Sequence, residues 1–201
     1  MKVLVTGANG FVGRVVAQTL LDSGQLVVAA VRQLPGQAPQ QLANLLWHPV
    51  GSLNNQTQWQ SALQGVNIVV HCAARAHVMQ EQAADAFAAY HEVNVAGTLH
   101  LAQQAAAAGV QRFVFISSIK VNGEATLPGQ PFTEECSPVP QDAYGQSKAE
   151  AEQALLALSA QTGMEVVIIR PPLVYGPGVK GNFAGMVKAV QRGIPLPLGA
   201  V

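Results

Sequence analysis

Tyr144 and Lys148 stand four residues apart in the stretch Asp142, Ala143, Tyr144, Gly145, Gln146, Ser147, Lys148, so on a helix they share one face and can act on one ligand. The chemistry such a pair offers is proton transfer. A free phenol titrates near ~10, so its use as a base near neutrality requires a shift of about three units, roughly 4 kcal/mol of preferential phenolate stabilisation. A lysine ammonium close to the hydroxyl supplies the required sign. Ser117 and Ser118, about 26 residues earlier at the end of an apolar run, offer a hydroxyl that would hold the reacting oxygen. Four-apart Tyr/Lys pairs also occur as exposed amphipathic pairs, and spacing alone leaves both readings open.

A second group of residues fits a cofactor. Val3 to Thr6 is a short apolar run that breaks into Gly7, Ala8, Asn9, Gly10, Phe11, Val12 and Gly13. Gly7 and Gly10 let the backbone turn tightly and approach a pyrophosphate, and Gly13 lets the following helix pack on its strand. The helix start then presents free N–H groups and the positive end of its dipole to that anion. A tight turn at the end of a buried strand also needs glycine, so the triplet is one component of a case.

These residues need elements to carry them. An Ala/Leu/Gln helix, a glycine and a β-branched strand recur at Gly24 before Leu26 to Val31, at Gly65 before Val66 to His71, at Gly109 before Arg112 to Ser117, and at Gly163 before Glu165 to Arg170. Glycine just past a helix end suits the left-handed conformation, and continuous apolar strands imply burial on both faces. The fold class is therefore α/β: a Rossmann doubly wound parallel sheet flanked by helices, with ligands beyond the carboxyl ends of the strands. Leu45 to Val50 reads as a short third strand, with Ser52 and Leu53 past its end flanking an adenine ring.

Arg32 follows the second strand where an acidic residue would bond a ribose hydroxyl. Its planar fork suits a 2′-phosphate, so NADP is favoured and NAD is possible; a solvated loop arginine is the alternative, since Gln33 to Gln41 is rich in Pro, Gly and Gln. Cys72, Ala73 and Ala74, before Arg75, are small enough to let a dinucleotide cross the sheet edge, although small residues also pack closely for their own sake. Asn94 lies in a helical pattern from Ala83 to Ala108, where a buried amide would need partners.

Composition excludes several classes. The 201 residues, 49% hydrophobic and 11% charged, suffice for a substantial core. Zero net charge without a basic run argues against nucleic acid or an anionic membrane surface. No apolar stretch reaches the roughly 18 residues of a span, and the N-terminus lacks signal-peptide character, so a cytoplasmic protein is expected. Cys72 and Cys136 are not spaced as metal ligands, and no metal is expected.

Taken jointly, the glycine fingerprint, the serine at a strand end and the Tyr-x-x-x-Lys helix resemble an extended short-chain dehydrogenase/reductase of the NAD(P)-dependent nucleotide-sugar epimerase/dehydratase kind. The resemblance covers essentially the whole chain. It implies Ser118, Tyr144 and Lys148 as catalytic residues, with Ser117 the near alternative to Ser118. It implies cofactor contacts from Gly7, Asn9, Gly10, Phe11, Val12, Gly13, Cys72, Ala73, Ala74, Asn94, Ser117, Tyr144 and Lys148, with Asn94 also supporting the active site. Arg170 to Pro177 resembles the family loop beside nicotinamide and sugar, adding Pro171, Leu173 and Val174, with Leu173 standing where relatives often carry Asn. Arg75, Ser118, Lys120, Tyr144 and Asn182 would bind a nucleotide sugar, expected to be a UDP-sugar; Asn182 opens a helical pattern and could equally be an ordinary cap.

The resemblance further implies hydride transfer at a sugar carbon, expected to be C4. Ile119 and Lys120 replace the Asp-Glu pair of the family's dehydratases, leaving a 4-ketoreductase, which Arg32 favours, or a UDP-sugar 4-epimerase. A non-catalytic NAD(P)-binding regulator is the reading from another class. Residues 1–175 form the expected dinucleotide-binding domain and 176–201 the start of a substrate lobe that in relatives runs roughly a hundred residues further, so a fragment is expected. Pairing as a homodimer through the helices at Ala83 to Ala108 and Asp142 to Ala160 is also implied.

Overall fold

The computed structural model describes residues 1–34, 36, 43–76, 85–126, 128–179 and 181–194. Six apolar runs become strands: β1 (Lys2–Thr6), β2 (Leu26–Val31), β3 (Leu45–Pro49), β4 (Ile68–His71), β5 (Arg112–Ile116) and β6 (Glu165–Ile169). They form one parallel sheet in the order β3-β2-β1-β4-β5-β6. The direction of winding reverses between β1 and β4, which opens a crevice at their carboxyl ends.

Helices α1 (Gly13–Asp22), α2 (Ala86–His91), α3 (Thr98–Ala107), α4 (Ala143–Thr162) and α5 (Gly181–Gln191) accompany the strands. Val3, Val5, Val27 and Ala29 point to one face of the sheet and pack with Ala17 of α1. Leu4, Val69, Phe113 and Phe115 point to the other and pack with Leu101 and Ala105 of α3 and with Ala151 and Leu155 of α4. This period-two division is what a doubly wound sheet requires. Gly24, Gly65, Gly109 and Gly163 have φ of 76°, 66°, 79° and 75°, the left-handed values their positions imply.

Several expectations change. The helical pattern from Ala83 to Ala108 is interrupted: α2 and α3 are joined by a π-helical stretch, Glu92–Gly97, in which Asn94 lies. Val66 belongs to the turn before β4, its N–H bonded to Leu63 O at 3.0 Å. Burial on both faces holds for the central strands and fails at β6, where Val167 and Ile169 are exposed, because α4 packs on the Val166 face of this strand and the opposite face is left open. Parts of the stretches Gln33 to Gln41 and Gly193 to Gly199 lie outside the described residues. Among the described residues no helix is long and apolar enough to cross a membrane.

Candidate active site

At the end of β1 the chain turns through Gly7, with φ at 61°, and Gly10 N–H bonds back to Gly7 O at 2.8 Å. A Cβ on Gly13 would lie 2.2 Å from Gly7 O, one on Gly10 3.0 Å from the same oxygen, and one on Gly7 3.0 Å from the backbone of Ala73. The turns after β1 and β4 therefore press backbone on backbone. The first turn of α1 carries no acidic residue and no side chain caps it. These features fit an anionic dinucleotide phosphate; Asn9, Phe11 and Val12 lie in this turn, and the loop with Ala73 and Ala74 lies against it. Arg14, in the first turn of α1, lies 5.7 Å from the Phe11 ring and donates to Pro177 O, tying the loop after β6 to this turn.

The Tyr/Lys helix starts where Asp142 caps it, accepting from Gly145 N–H at 2.6 Å with extended backbone angles. The other oxygen of Asp142 pairs with the Lys120 ammonium, so Lys120, expected to contact substrate, is engaged at the start of α4. A Cβ on Gly145 would lie 2.8 Å from Lys120 O, so α4 rests directly on the 3-10 turn Ile119–Val121 that follows Ser118. That close approach sets the start of α4, with Tyr144, beside the Ser118 strand tip. Burial pushes the phenol above its ordinary value, Asp142 and Tyr90 add to the rise, and the Ser118 hydroxyl opposes it.

Lys148 departs from expectation. It shares the Tyr144 face of α4, but its ammonium turns into the sheet, 3.8 Å from the centre of the Phe115 ring and 1% exposed. The ring face replaces part of the lost hydration. Burial lowers Lys148 to about 7, with Glu152 and Cys72 acting in the other direction. Burial likewise pushes the Cys72 thiol up to about 11.

Ser117, the near alternative to Ser118, faces elsewhere. It continues the Phe113, Phe115 side of β5, as alternation requires, and donates to Glu152 Oε1 at 2.5 Å. Asn94, expected to touch cofactor, acts on protein groups: its Oδ1 accepts from Arg75 N–H at 2.8 Å, and its Nδ2 donates to Arg75 O at 3.1 Å and to Ser147 Oγ at 3.0 Å. Ser147 Oγ in turn donates to Tyr144 O at 2.8 Å. The π-helical stretch thus holds the strand-end loop and the Tyr144 helix together, a common location for such an insertion. Arg75 lies 5.5 Å from the Tyr90 ring, which meets the Tyr144 ring edge-on at 6.1 Å.

The remaining expected contacts are spread along the same rim. Leu53 packs against Gly97, where a Cβ would come within 2.9 Å of its Cγ, and Ser52 O accepts from Thr57 Oγ1 at 2.7 Å. Arg32 is exposed just past β2. Pro171 O accepts from Ile119 N–H at 3.0 Å, while Leu173 and Val174 are exposed. Asn182 lies in the first turn of α5, and its side chain is outside what the structure describes.

Sequence reasoning missed three things here. His71, buried at the end of β4, bridges Thr6 Oγ1 at 2.7 Å and Thr98 Oγ1 at 3.0 Å, and Thr6 Oγ1 also accepts from Ala73 N–H at 3.1 Å. A histidine in an apolar strand was the available signal. Gly145 and Glu152 were the others, the latter legible as the next step along the Tyr144, Lys148 face.

Comparison with known proteins agrees with this geometry. The NAD dependent epimerase/dehydratase family matches residues 3–198. UDP-glucose 4-epimerase of Vibrio cholerae is 51% identical over 201 residues, all of this chain and 60% of that protein. Among solved structures, MoeE5 in complex with UDP-glucose and NAD superposes with a TM-score of 0.80 at 32% identity, over 98% of this chain and 63% of that one. UDP-glucuronic acid 4-epimerase from Bacillus cereus, in complex with UDP-glucuronic acid and NAD, gives 0.81 at 27% identity over 98% and 65%. This chain thus spans about three fifths of their length. With its glycine turn, strand-end serine and Tyr-x-x-x-Lys helix at one edge of a doubly wound sheet, the chain belongs to the NAD dependent epimerase/dehydratase family.

Proposed function

We propose that this chain carries the cofactor-binding and proton-transfer part of a nucleotide-sugar 4-epimerase acting on UDP-sugars. The observation that supports it most is the direct packing of the start of α4, which carries Tyr144, on the turn that follows Ser118 at the carboxyl edge of the sheet. The Vibrio cholerae relative bears the name of that activity at 51% identity, which supports the epimerase over the 4-ketoreductase that sequence reasoning favoured.

Gly7, Gly10, Gly13 and the start of α1 would hold the dinucleotide, and Ala73 and Ala74 would flank it. Bound NAD would supply reversible hydride transfer at the sugar carbon, with the keto sugar turning between the two transfers so that its opposite face is reduced. Tyr144 Oη takes the hydroxyl proton as the carbonyl forms and gives it back as the new alcohol forms. Ser118 Oγ holds the reacting oxygen. The phenol needs a cation to act as a base near neutrality; the cationic nicotinamide would supply one, and Lys148, whose ammonium lies over the Phe115 ring, would act at longer range. Asn94 and Asp142 fix α4 against the strand-end loops so that these atoms keep their separation.

NAD is the cofactor of this reading, in line with the NAD-bound relatives. Arg32 is the observation that favours a second reading, an NADPH-consuming 4-ketoreductase. Residues 176–201 then begin a substrate lobe, with Arg75 and Asn182 toward the sugar nucleotide, and two copies pair through the outer faces of α2 and α4. The test is incubation of the protein with UDP-glucose and NAD, and with a 4-keto UDP-sugar and NADPH. Interconversion of C4 epimers without net consumption of cofactor supports the epimerase. Stoichiometric loss of NADPH establishes the reductase, and dinucleotide binding with no turnover of either sugar overturns both.

A further inference from the structure

The face of α4 that carries Tyr144 and Lys148 carries a third polar residue one turn further, Glu152, which is 3% exposed. Its carboxylate is held from two strands. Oε1 accepts from Ser117 Oγ at 2.5 Å and from Arg170 Nε at 3.0 Å; Oε2 accepts from Arg170 Nη2 at 2.6 Å and Nε at 3.2 Å. Arg170 Nη1 continues to Asn122 Oδ1 at 3.2 Å. Ser117 immediately precedes Ser118 at the tip of β5. Arg170 immediately precedes Pro171 at the tip of β6, whose carbonyl accepts from Ile119 N–H. One carboxylate therefore grips the chain on either side of the Ser118 turn from the same helix face that presents Tyr144.

Among the described residues, the groups acting on Lys148 are Cys72, just past β4, His71 at its end, the Phe115 ring of β5, and Glu152 of α4 with Arg170 of the β6 tip behind it. Burial pushes the Cys72 thiol up to about 11 and lowers His71 to about 3, so both are neutral at pH 7. Glu152 is then the negative charge acting on Lys148, and Arg170 is a positive charge on the far side of it. A buried ion pair is weak evidence for stability, so its meaning is sought in what it positions.

We propose that Glu152 is a positioning residue whose carboxylate keeps the Ser118 strand tip in register with the Tyr144 face of α4 and supplies the negative charge opposite the Lys148 ammonium. This rests on the oxidoreductase reading of the site and deepens it. The two fail separately, because the reading is judged by turnover and the charge role by the protonation of Lys148 in protein without substrate.

The measurement is the pH titration of the lysine ε-carbon signals of 13C-lysine-labelled protein, with Lys148→Met assigning the Lys148 signal. Glu152→Gln keeps the shape and removes the charge, and the Lys148 titration moves down by about one pH unit. Arg170→Gln leaves the carboxylate uncompensated, and the titration moves up by a similar amount. A loosened helix would not produce opposite signs. Shifts in one direction, or none in folded variants, overturn the charge role; if Glu152→Gln does not fold, the upward shift in Arg170→Gln decides alone. Ser117→Ala reads the register: it leaves the Lys148 titration in place while kcat falls about tenfold at unchanged KM, as expected for a displaced reacting group. A wild-type kcat in Ser117→Ala overturns the register role.

Discussion

The ammonium of Lys148 and the ring of Phe115 meet at 3.8 Å inside the sheet-facing side of α4, where Lys148 is 1% exposed. Folding thus removes a cation from water and lowers it to about 7 from 10.5. Between those two values the unfolded chain binds more protons than the folded one, so stability rises with pH through that window and is lowest below it. Lys148→Met removes the buried charge at similar volume. It is expected to raise unfolding stability at pH 7 by on the order of a few kcal/mol, abolish the rise toward pH 10 and lower kcat at least about a hundredfold. Urea unfolding at several pH values, alongside the epimerase assay, checks all three.

In the proposed reaction Tyr144 moves the proton and Ser118 holds the reacting oxygen, the phenol being the group of the two whose acidity lets it serve as both acid and base. Tyr144→Phe deletes one oxygen while keeping the edge-on contact with Tyr90 at 6.1 Å. Turnover should fall by about 10²–10⁴, with the dinucleotide Kd within about twofold of wild type. Retained turnover would remove Tyr144 from the chemistry. Because burial and Asp142 raise the phenol, wild-type kcat/KM should increase with pH above neutrality on its acid side.

Gly13 sits in the first turn of α1, where alanine would normally favour a helix by ~1 kcal/mol. Here its Cβ would lie 2.2 Å from Gly7 O, an approach that forces the turn open. Gly13→Ala should therefore destabilise the protein against the helix-propensity trend and weaken dinucleotide binding by at least about tenfold. Thermal melts with and without NAD test it. An unchanged Kd would show that the turn does not hold the cofactor.

His71 is buried between Thr6 and Thr98 and stacks on Phe115 with ring centres 5.9 Å apart. With its proton on Nε2 the ring donates to Thr98 and accepts from Thr6, which satisfies both nitrogens without a charge. Burial, with the Lys148 charge adding to it, lowers the imidazole to about 3 from 6.5. The unfolded state binds more protons between those values, so stability present above pH 6.5 is lost as pH falls toward 3. The loss should be roughly 2 kcal/mol at pH 5 relative to pH 7. His71→Gln, which can still bridge two hydroxyls, should flatten that slope in urea titrations; an unchanged slope would assign it to other groups.

Much of this molecule is readable from local chemistry. The glycines after helices, the apolar runs of β1, β2, β4 and β5, and the Asp142 cap before Tyr144 are set by backbone conformations and side-chain periods that act over a few residues. The Tyr144 and Lys148 face follows from helical spacing, and the Gly7, Gly10, Gly13 turn from the need for close backbone approach. Partners are another matter. Thr6, His71 and Phe115 lie side by side only because the parallel register aligns β1, β4 and β5, joining residues 65 apart in the chain. Once that alignment exists it decides that Lys148 lies over Phe115, that Ser117 turns to Glu152, and that Asn94 clamps Arg75. Sequence alone determined the elements and the chemical kinds of residue at their ends. The assembled sheet decided which of those residues touch, because contact across strands depends on register and layer packing, quantities that no short stretch of chain contains.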